Sequence, residues 1–120
     1  FSVYLLGLIL DWVRDSGGLP AMALRNKAKA DALYAAIDSS KLYSSPVAPD
    51  SRSWMNIPFI LESQRPDIDS AFLAGAAKAG LTNLKGHRSV GGMRASLYNA
   101  MPIEGVLALV DFMQDFEKRN

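Results

Sequence analysis

Cysteine is absent from the 120-residue sequence, and histidine occurs once. Without cysteine there is no disulfide framework, no thiolate zinc site and no thiol nucleophile. This composition fits a reducing compartment, so we expect a cytoplasmic location. The formal net charge is only +1, and no Lys/Arg block is present. These two features argue against nucleic acid or an anionic membrane as a partner.

Long hydrophobic runs are also lacking. The apolar segment 1–13 is too short to span a bilayer, and Asp11 interrupts it. The same segment has no basic flank and no small-residue cleavage site, which argues against a signal peptide. Because the chain begins with Phe1 and not with methionine, we expect it to be part of a longer protein.

The residues that are present are typical of one globular domain. Apolar residues make up 49% and charged residues 21%, which suits a chain with a modest core. Four segments carry apolar residues at helical spacing. The predicted helices are one that ends at Gly17-Gly18, one from Pro20 to about Asp38, one capped by Asp67 and ended by Gly80, and one from Pro102. In the second, Lys29 falls on the polar face.

Three shorter segments predict strands, at 54–61, 81–85 and 93–98. The first contains Pro58, which favours a sheet edge or a strand end because proline lacks a backbone N–H. Residues 41–51 are rich in proline and serine and predict a connecting loop. The order of these elements predicts an α+β fold with a small, mostly antiparallel sheet packed against helices.

One glycine-rich segment, KGHRSVGGMR at 85–94, contains the only histidine, His87, together with Lys85, Arg88 and Arg94. Glycine lets a backbone approach a ligand closely, and arginine can grip a carboxylate or phosphate with two parallel hydrogen bonds. The segment therefore predicts an anion site. A solvated turn with a glycine bulge explains the same residues, and spacing alone favours that second interpretation.

Arg94 differs from the other cations of this segment because it lies in an apolar strand, where an arginine needs an anionic partner. No spacing indicates a metal site or a nucleophilic triad. The remaining polar and aromatic candidates have structural explanations. We expect first-turn helix charges at Asp67 and Asp69, core rings at Trp12 and Trp54, and hydrogen-bonded structural amides at Asn56 and Asn99.

Three stretches carry a family resemblance. Residues 86–117, GHRSVGGMRASLYNAMPIEGVLALVDFMQDFE, resemble the C-terminal signature of phosphoserine aminotransferases. Residues 1–22, FSVYLLGLILDWVRDSGGLPAM, resemble the segment that follows the cofactor-binding Asn-Thr-Pro-Pro run of that family. Residues 52–59, RSWMNIPF, resemble the first strand of its small domain. The resemblance covers nearly the whole chain in order.

The resemblance implies a class-V pyridoxal-phosphate enzyme with an aspartate-aminotransferase-like fold of two domains. Residues 1–120 would form the C-terminal small domain. The large domain, with the Schiff-base lysine and the other groups that hold pyridoxal 5'-phosphate, would be missing from this sequence. Enzymes of the family are homodimers that transfer an amino group from glutamate to 3-phosphohydroxypyruvate, giving phosphoserine and 2-oxoglutarate, in serine biosynthesis.

The resemblance also implies roles for individual residues. Arg94 matches the family arginine that binds the substrate α-carboxylate. His87 and Arg88 match a pair that reaches from the neighbouring subunit toward the distal phosphate or carboxylate of the substrate. We therefore expect a substrate-clamping part of a transaminase that is inactive in isolation. The second hypothesis is a non-catalytic module for anion binding or assembly.

Overall fold

The computed structural model describes residues 1–62 and 65–120. These residues form four α-helices, three β-strands and one 3-10 turn. The helices are α1 (Ser2–Asp15), α2 (Gly18–Ser39), α3 (Pro66–Lys78) and α4 (Ile103–Arg119), the strands are β1 (Tyr43–Ser44), β2 (Asn56–Leu61) and β3 (Met93–Ser96), and the 3-10 turn is Pro49–Ser51. The α+β prediction is confirmed.

Two glycines make the turn between α1 and α2. Gly17 and Gly18 have φ angles of 100° and 75°, in the left-handed region that glycine adopts without steric cost. A Cβ on Gly17 would lie 2.8 Å from the Cβ of Ala21, so the turn is also too tight for a side chain there. Helix α2 starts at Gly18, two residues before the predicted Pro20.

The sheet has the order β1-β2-β3, and both pairings are antiparallel. Pro58 therefore lies in the central strand and not in the edge strand that proline favours. The structure accommodates it because β1 pairs only with the last two residues of β2, Ile60 and Leu61. On the other side Pro58 faces Arg94. The backbone N–H of Arg94 points away from β2 and donates to Leu84 O at 2.7 Å, so the missing N–H of Pro58 breaks no hydrogen bond between the two strands.

Strand β1 lies within residues 41–51, where the sequence predicted a loop. Residues 81–85 do not form the expected strand, since Asn83 has a left-handed φ of 62° that interrupts an extended run. Only an isolated bridge from Lys85 to Met93 remains of that pairing. Strand β1, two residues long, takes the third place in the sheet. A pairing that short leaves no alternation in the sequence to read.

An aromatic cluster centred on Phe72 fills the core between the sheet and helices α3 and α4. Phe72 is fully buried. Its ring centroid lies 5.2–5.9 Å from those of four other rings, in edge-to-face geometry. These rings belong to Tyr43, Phe59, Phe112 and Phe116. Edge-to-face pairs add attraction beyond the area that they bury, so Phe72 joins the strands to both helices.

Helix α1 stands apart from this core. None of its residues is buried, and it packs chiefly against α2. Trp12 is 41% exposed and Trp54 is 44% exposed, so the prediction that both rings belong to the core is wrong. Both rings are partly exposed at the surface of the described residues. In the part of the chain that the structure describes, no helix is long and apolar enough to cross a membrane.

Replacing Phe72 tests the aromatic cluster. We expect Phe72→Ala to lower the free energy of unfolding by about 3–5 kcal/mol, because it removes a buried ring and leaves a cavity. Urea denaturation followed by circular dichroism measures the change. The control is Phe1→Ala, whose ring is 94% exposed and whose loss should change stability by less than about 0.5 kcal/mol. Equal losses in the two variants would contradict this account of the core.

Candidate functional site

A cavity of about 330 Å³ opens between the glycine-rich turn that precedes β3 and the segment that leads into β2. Two of the three predicted site residues, Arg94 and His87, line it, and Arg88 is not among the lining residues. The complete lining is Pro46, Val47, Ser51, Ser53, Asn56, Pro58, Gly86, His87, Val90, Gly91, Met93 and Arg94.

The glycine-rich turn is closed by backbone hydrogen bonds. The N–H of Gly86 donates to Gly92 O at 2.9 Å, and the N–H of Gly91 donates to His87 O at 2.8 Å. Gly86 tolerates no side chain, because a Cβ there would collide with the carbonyl oxygen of Gly91. Gly92 has φ 60°, and its Cβ would lie 2.7 Å from Phe59 O. The glycines therefore press the turn against β2 and shape one wall of the cavity.

Arg94 is the cation that strand geometry directs into this cavity. In β3 it alternates with Met93 and Ala95, which are buried in the core, whereas Arg94 is half-buried on the opposite face. Its Nε is buried and has no hydrogen-bond partner, and no carboxylate pairs with it among the described residues. A buried guanidinium N–H without an acceptor is costly, which favours an acceptor close to this arginine.

His87 and Arg88 are both exposed on the tip of the turn. His87 Nδ1 lies 2.8 Å from Ser89 Oγ and accepts a hydrogen bond from Ser89 N at 3.3 Å. Because Nδ1 acts as an acceptor, the proton of the neutral ring resides on Nε2, which is left as a donor. The structure thus brings His87 and Arg94 to one cavity and leaves the Arg88 side chain outside it.

The opposite wall is held by Ser53, which no sequence pattern indicated, and by Asn56. Ser53 Oγ accepts hydrogen bonds from Met55 N at 3.0 Å and Asn56 N at 3.1 Å. Asn56 Oδ1 accepts one from Ser96 Oγ at 3.2 Å. These bonds join the segment before β2 to β3, and they confirm the structural role predicted for Asn56.

Arg52 anchors this wall to helix α2. Its Nη1 and Nη2 atoms each donate to one Asp38 oxygen at 2.6 Å. The guanidinium carbon also lies 4.4 Å from the centroid of the Tyr34 ring, within range of a cation–π attraction. Tyr34 OH donates to Ser53 O at 3.0 Å. The hydrogen bonds from Arg52 hold the pKa of the Asp38 carboxyl below its ordinary value.

Helix α2 also holds the chain that leaves β3. Lys29 is buried, with its side-chain ammonium donating to Tyr98 O at 2.8 Å. Burial lowers the pKa of this ammonium. The sequence placed Lys29 on the polar face of α2; that placement is wrong, because the backbone carbonyls beyond β3 provide its acceptors. Asn26 Nδ2 donates to Asn99 Oδ1 at 2.8 Å, which confirms the structural role predicted for Asn99.

The two early aspartates of α3 do not form a reactive pair. Asp67 and Asp69 both lie in the first turn of the helix, as predicted, where the helix dipole favours negative charge. The prediction that Asp67 caps the helix is wrong, because the helix begins at Pro66 and its N-cap is Arg65. Arg65 binds Asp67 with Nη2 at 2.6 Å and Nε at 3.2 Å from its oxygens. Among the described residues, no group of three or more histidine, aspartate or glutamate side chains could hold a metal ion.

Comparison with known proteins assigns the family. The family model for "Aminotransferase class-V" matches residues 1–109. The chain belongs to the class-V aminotransferases. It is 56% identical, over all 120 residues, to the phosphoserine aminotransferase of Pseudomonas entomophila (strain L48). The chain spans about a third of the length of that relative, 33%.

Solved structures agree with the assignment to the class-V aminotransferases. The phosphoserine aminotransferase from Bacillus circulans subsp. alkalophilus superposes with a TM-score of 0.94 at 42% identity, over 99% of this chain and 33% of that one. The PLP-bound phosphoserine aminotransferase from Trichomonas vaginalis superposes with a TM-score of 0.81 at 44% identity, over 87% of this chain and 30% of that one. The predicted aspartate-aminotransferase-like fold is thereby confirmed.

Sequence reasoning on this class-V aminotransferase chain missed Arg52, Asp38 and Lys29. Arg52 lies within the run RSWMNIPF that carried part of the resemblance, but nothing in its spacing indicated a partner. The carboxylate that it binds belongs to Asp38, 14 residues earlier in helix α2. Lys29 bonds to carbonyls 68 and 69 residues later. Pairings of this kind leave no local pattern.

The Arg52–Asp38 pair predicts a pH-dependent contribution to stability. Because the pKa of Asp38 is lowered in the folded state, the stabilisation is complete above the unfolded-state value of about 3.9 and disappears as the pH falls through the folded-state value. We expect Asp38→Asn to cost about 0.2–1 kcal/mol at neutral pH, since the carboxylate is half-exposed. The cost should shrink below about pH 4.

Urea denaturation of the parent chain and of Asp38→Asn, from neutral pH to below about pH 4, measures the difference in the free energy of unfolding. Asp31→Asn is the matched control. It removes an exposed ion pair with Lys27 that consists of a single contact, so it should lower the free energy of unfolding by less. A difference between Asp38→Asn and the parent chain that stayed constant into the acid range would contradict the assignment.

Proposed function

We propose that this chain is the substrate-clamping part of a phosphoserine aminotransferase. Such an enzyme transfers an amino group from glutamate to 3-phosphohydroxypyruvate, giving phosphoserine and 2-oxoglutarate. One observation carries the proposal: Arg94 faces the cavity with a buried Nε that lacks a partner. The names of the relatives that the chain resembles over its whole length support it.

Arg94 suits the α-carboxylate of the substrate. Its guanidinium is planar and always charged, and it can donate two parallel hydrogen bonds to a carboxylate. Apolar side chains, among them Val47, Pro58 and Val90, line the rest of the cavity. A charge pair is screened less there than in open water, so the bond from Arg94 to a carboxylate gains strength.

His87 and Arg88 suit the distal anion of the substrate. Glutamate and phosphoserine both carry a second negative group, at a distance from the α-carboxylate, so a second clamp is needed. The two side chains lie on an exposed turn beside the cavity. In the proposed homodimer they reach the active site of the neighbouring subunit, which fits their exposure in the single chain.

The cofactor implied by the family is pyridoxal 5'-phosphate, and the cavity does not fit it. No lysine lines the cavity to bind the cofactor covalently, and no carboxylate lines it to face the pyridine nitrogen. We therefore assign the cofactor to the rest of the protein, the large domain, with residues 1–120 as the C-terminal small domain. The exposed apolar side chains of α1 would pack against that domain, and the enzyme would work in the cytoplasm.

A non-catalytic assembly module is the second candidate, and the exposed apolar surface of α1 favours it. Contiguous apolar patches of this kind mark interaction surfaces. The coding sequence upstream of Phe1 separates the two candidates. A large domain with a Schiff-base lysine supports the aminotransferase, whereas an initiator directly before Phe1 supports the module.

Substitution of Arg94 tests the α-carboxylate clamp in the full-length enzyme. We expect Arg94→Lys to lower kcat/KM for glutamate, phosphoserine and alanine alike, because lysine keeps the positive charge but cannot form the two parallel hydrogen bonds of a guanidinium. The loss should be about 1.5–3 kcal/mol, or roughly ten- to hundredfold in kcat/KM. Steady-state kinetics with each amino donor measures it.

The variants His87→Ala and Arg88→Ala are the matched comparison. They should lower kcat/KM for glutamate and phosphoserine but leave it unchanged for alanine, which has no distal charge. If Arg94→Lys left all three donors unaffected, Arg94 would be a structural arginine and the proposed clamp would be wrong.

The isolated chain provides a further test. We expect it to form no covalent adduct with pyridoxal 5'-phosphate, because none of its lysines matches the Schiff-base position of the family. The chain is mixed with the cofactor, reduced with borohydride and analysed by peptide mass spectrometry. Stoichiometric labelling of one lysine would overturn the assignment of the cofactor to another domain.

A further inference from the structure

We propose that Arg52 is a positioning residue for the anion cavity: its fork on Asp38 ties the segment 51–56 to helix α2 and so sets the wall that faces Arg94. This inference rests on the proposed function for its substrate. Hydrogen bonds that run from α2 through Arg52 and Ser53 to Asn56 and β3 support it.

The first link is the direction of the Arg52 side chain. Ser51 and Ser53, its two neighbours in the chain, both line the cavity, and Arg52 itself does not. Its guanidinium extends to the other side, where it meets Asp38 and the Tyr34 ring of α2. Only 17% of the Arg52 side chain is exposed. The segment 51–53 therefore lines the cavity through Ser51 and Ser53 and is attached to α2 on its other side through Arg52.

The second link is the weak secondary structure of this wall. Between β1 and β2 the chain has only the 3-10 turn Pro49–Ser51 as a regular element. A segment with so few backbone hydrogen bonds of its own depends on side chains for its position. The fork from Arg52 at 2.6 Å and the bond from Tyr34 OH to Ser53 O at 3.0 Å supply two such restraints.

The third link transmits the position to the cavity. Ser53 Oγ accepts the N–H groups of Met55 and Asn56. Asn56 then pairs with Ser96 in β3, two residues from Arg94. If the segment shifted away from α2, Ser53 and Asn56 would move relative to the Arg94 guanidinium. The cavity would widen, and an anion held by Arg94 would lose its facing wall.

Arg52→Lys is the informative substitution, because it keeps the positive charge and loses the two-point geometry. In the full-length enzyme we expect KM for glutamate to rise roughly tenfold with kcat changed less than about twofold, since misplaced binding groups weaken substrate without entering the chemistry. Asp38→Asn should also raise KM, by up to about fivefold, because its carboxylate is half-exposed and the ion pair that it forms is correspondingly weak. The double variant should be no worse than Arg52→Lys alone, because both substitutions remove one interaction.

Arg65→Lys is the matched control. Arg65 also forms a two-point pair with an aspartate, Asp67, but it does not line the cavity or contact its wall. We expect Arg65→Lys to leave KM and kcat at the parent values. If it raised KM as Arg52→Lys does, the effect would be general destabilisation, and the proposal would be overturned.

Hydrogen exchange provides a readout that does not need turnover. We expect the amides of Met55 and Asn56 to exchange faster in Arg52→Lys than in Arg65→Lys, while amides of α4 stay protected in both. Unchanged exchange at Met55 and Asn56 overturns the proposal. Should Arg52→Lys fail to fold, Asp38→Asn, at a half-exposed position, carries the same measurements.

The outcomes separate this inference from the proposed function. If Arg94→Lys raises KM and Arg52→Lys does not, the positioning role is wrong and the clamp stands. If the full-length protein shows no transamination, the proposed function fails. Calorimetric titration with glutamate then decides the positioning role, which requires an Arg52→Lys dissociation constant roughly tenfold above that of the parent.

Discussion

The alternation of β3 is the constraint on which the candidate site depends. Met93 and Ala95 are buried against the aromatic cluster, and successive side chains of a strand point to opposite faces. Arg94 is therefore forced onto the other face, toward the cavity. A shift of one residue in the pairing with β2 would reverse both faces, so the core and the placement of the arginine are decided by the same register.

That register is itself secured from helix α2 at one end of the antiparallel strand pair, where β2 begins and β3 ends. Before β2, Asp38 and Tyr34 hold Arg52 and the carbonyl of the next residue. After β3, Lys29 and Asn26 hold the carbonyl and amide groups that follow the strand. Hydrogen-bonded groups at low exposure resist displacement because separation would leave them unpaired. One helix therefore positions the two chain segments that flank the candidate site.

The buried Nε of Arg94, which has no partner among the described residues, supports the proposed preference of the cavity for an anion. The aromatic core stabilises the fold without any contribution from this arginine, and the apolar ring of Pro58 belongs to the residue opposite it in the strand pair. A half-buried guanidinium among apolar walls binds a carboxylate more strongly than one in open water. The glycines of the preceding turn let its backbone approach β2 closely, because they have no side chains.

The four helices, the approximate positions of β2 and β3, and the difference between Arg94 and its neighbouring cations could be predicted from the amino-acid sequence. Local periodicity and turn residues carry that information. Tertiary packing places residues 43–44, and not 81–85, in the sheet, buries Lys29 and pairs Arg52 with Asp38. Each of these depends on partners far apart in the chain, and the distance between such partners is settled by packing, which no local pattern records.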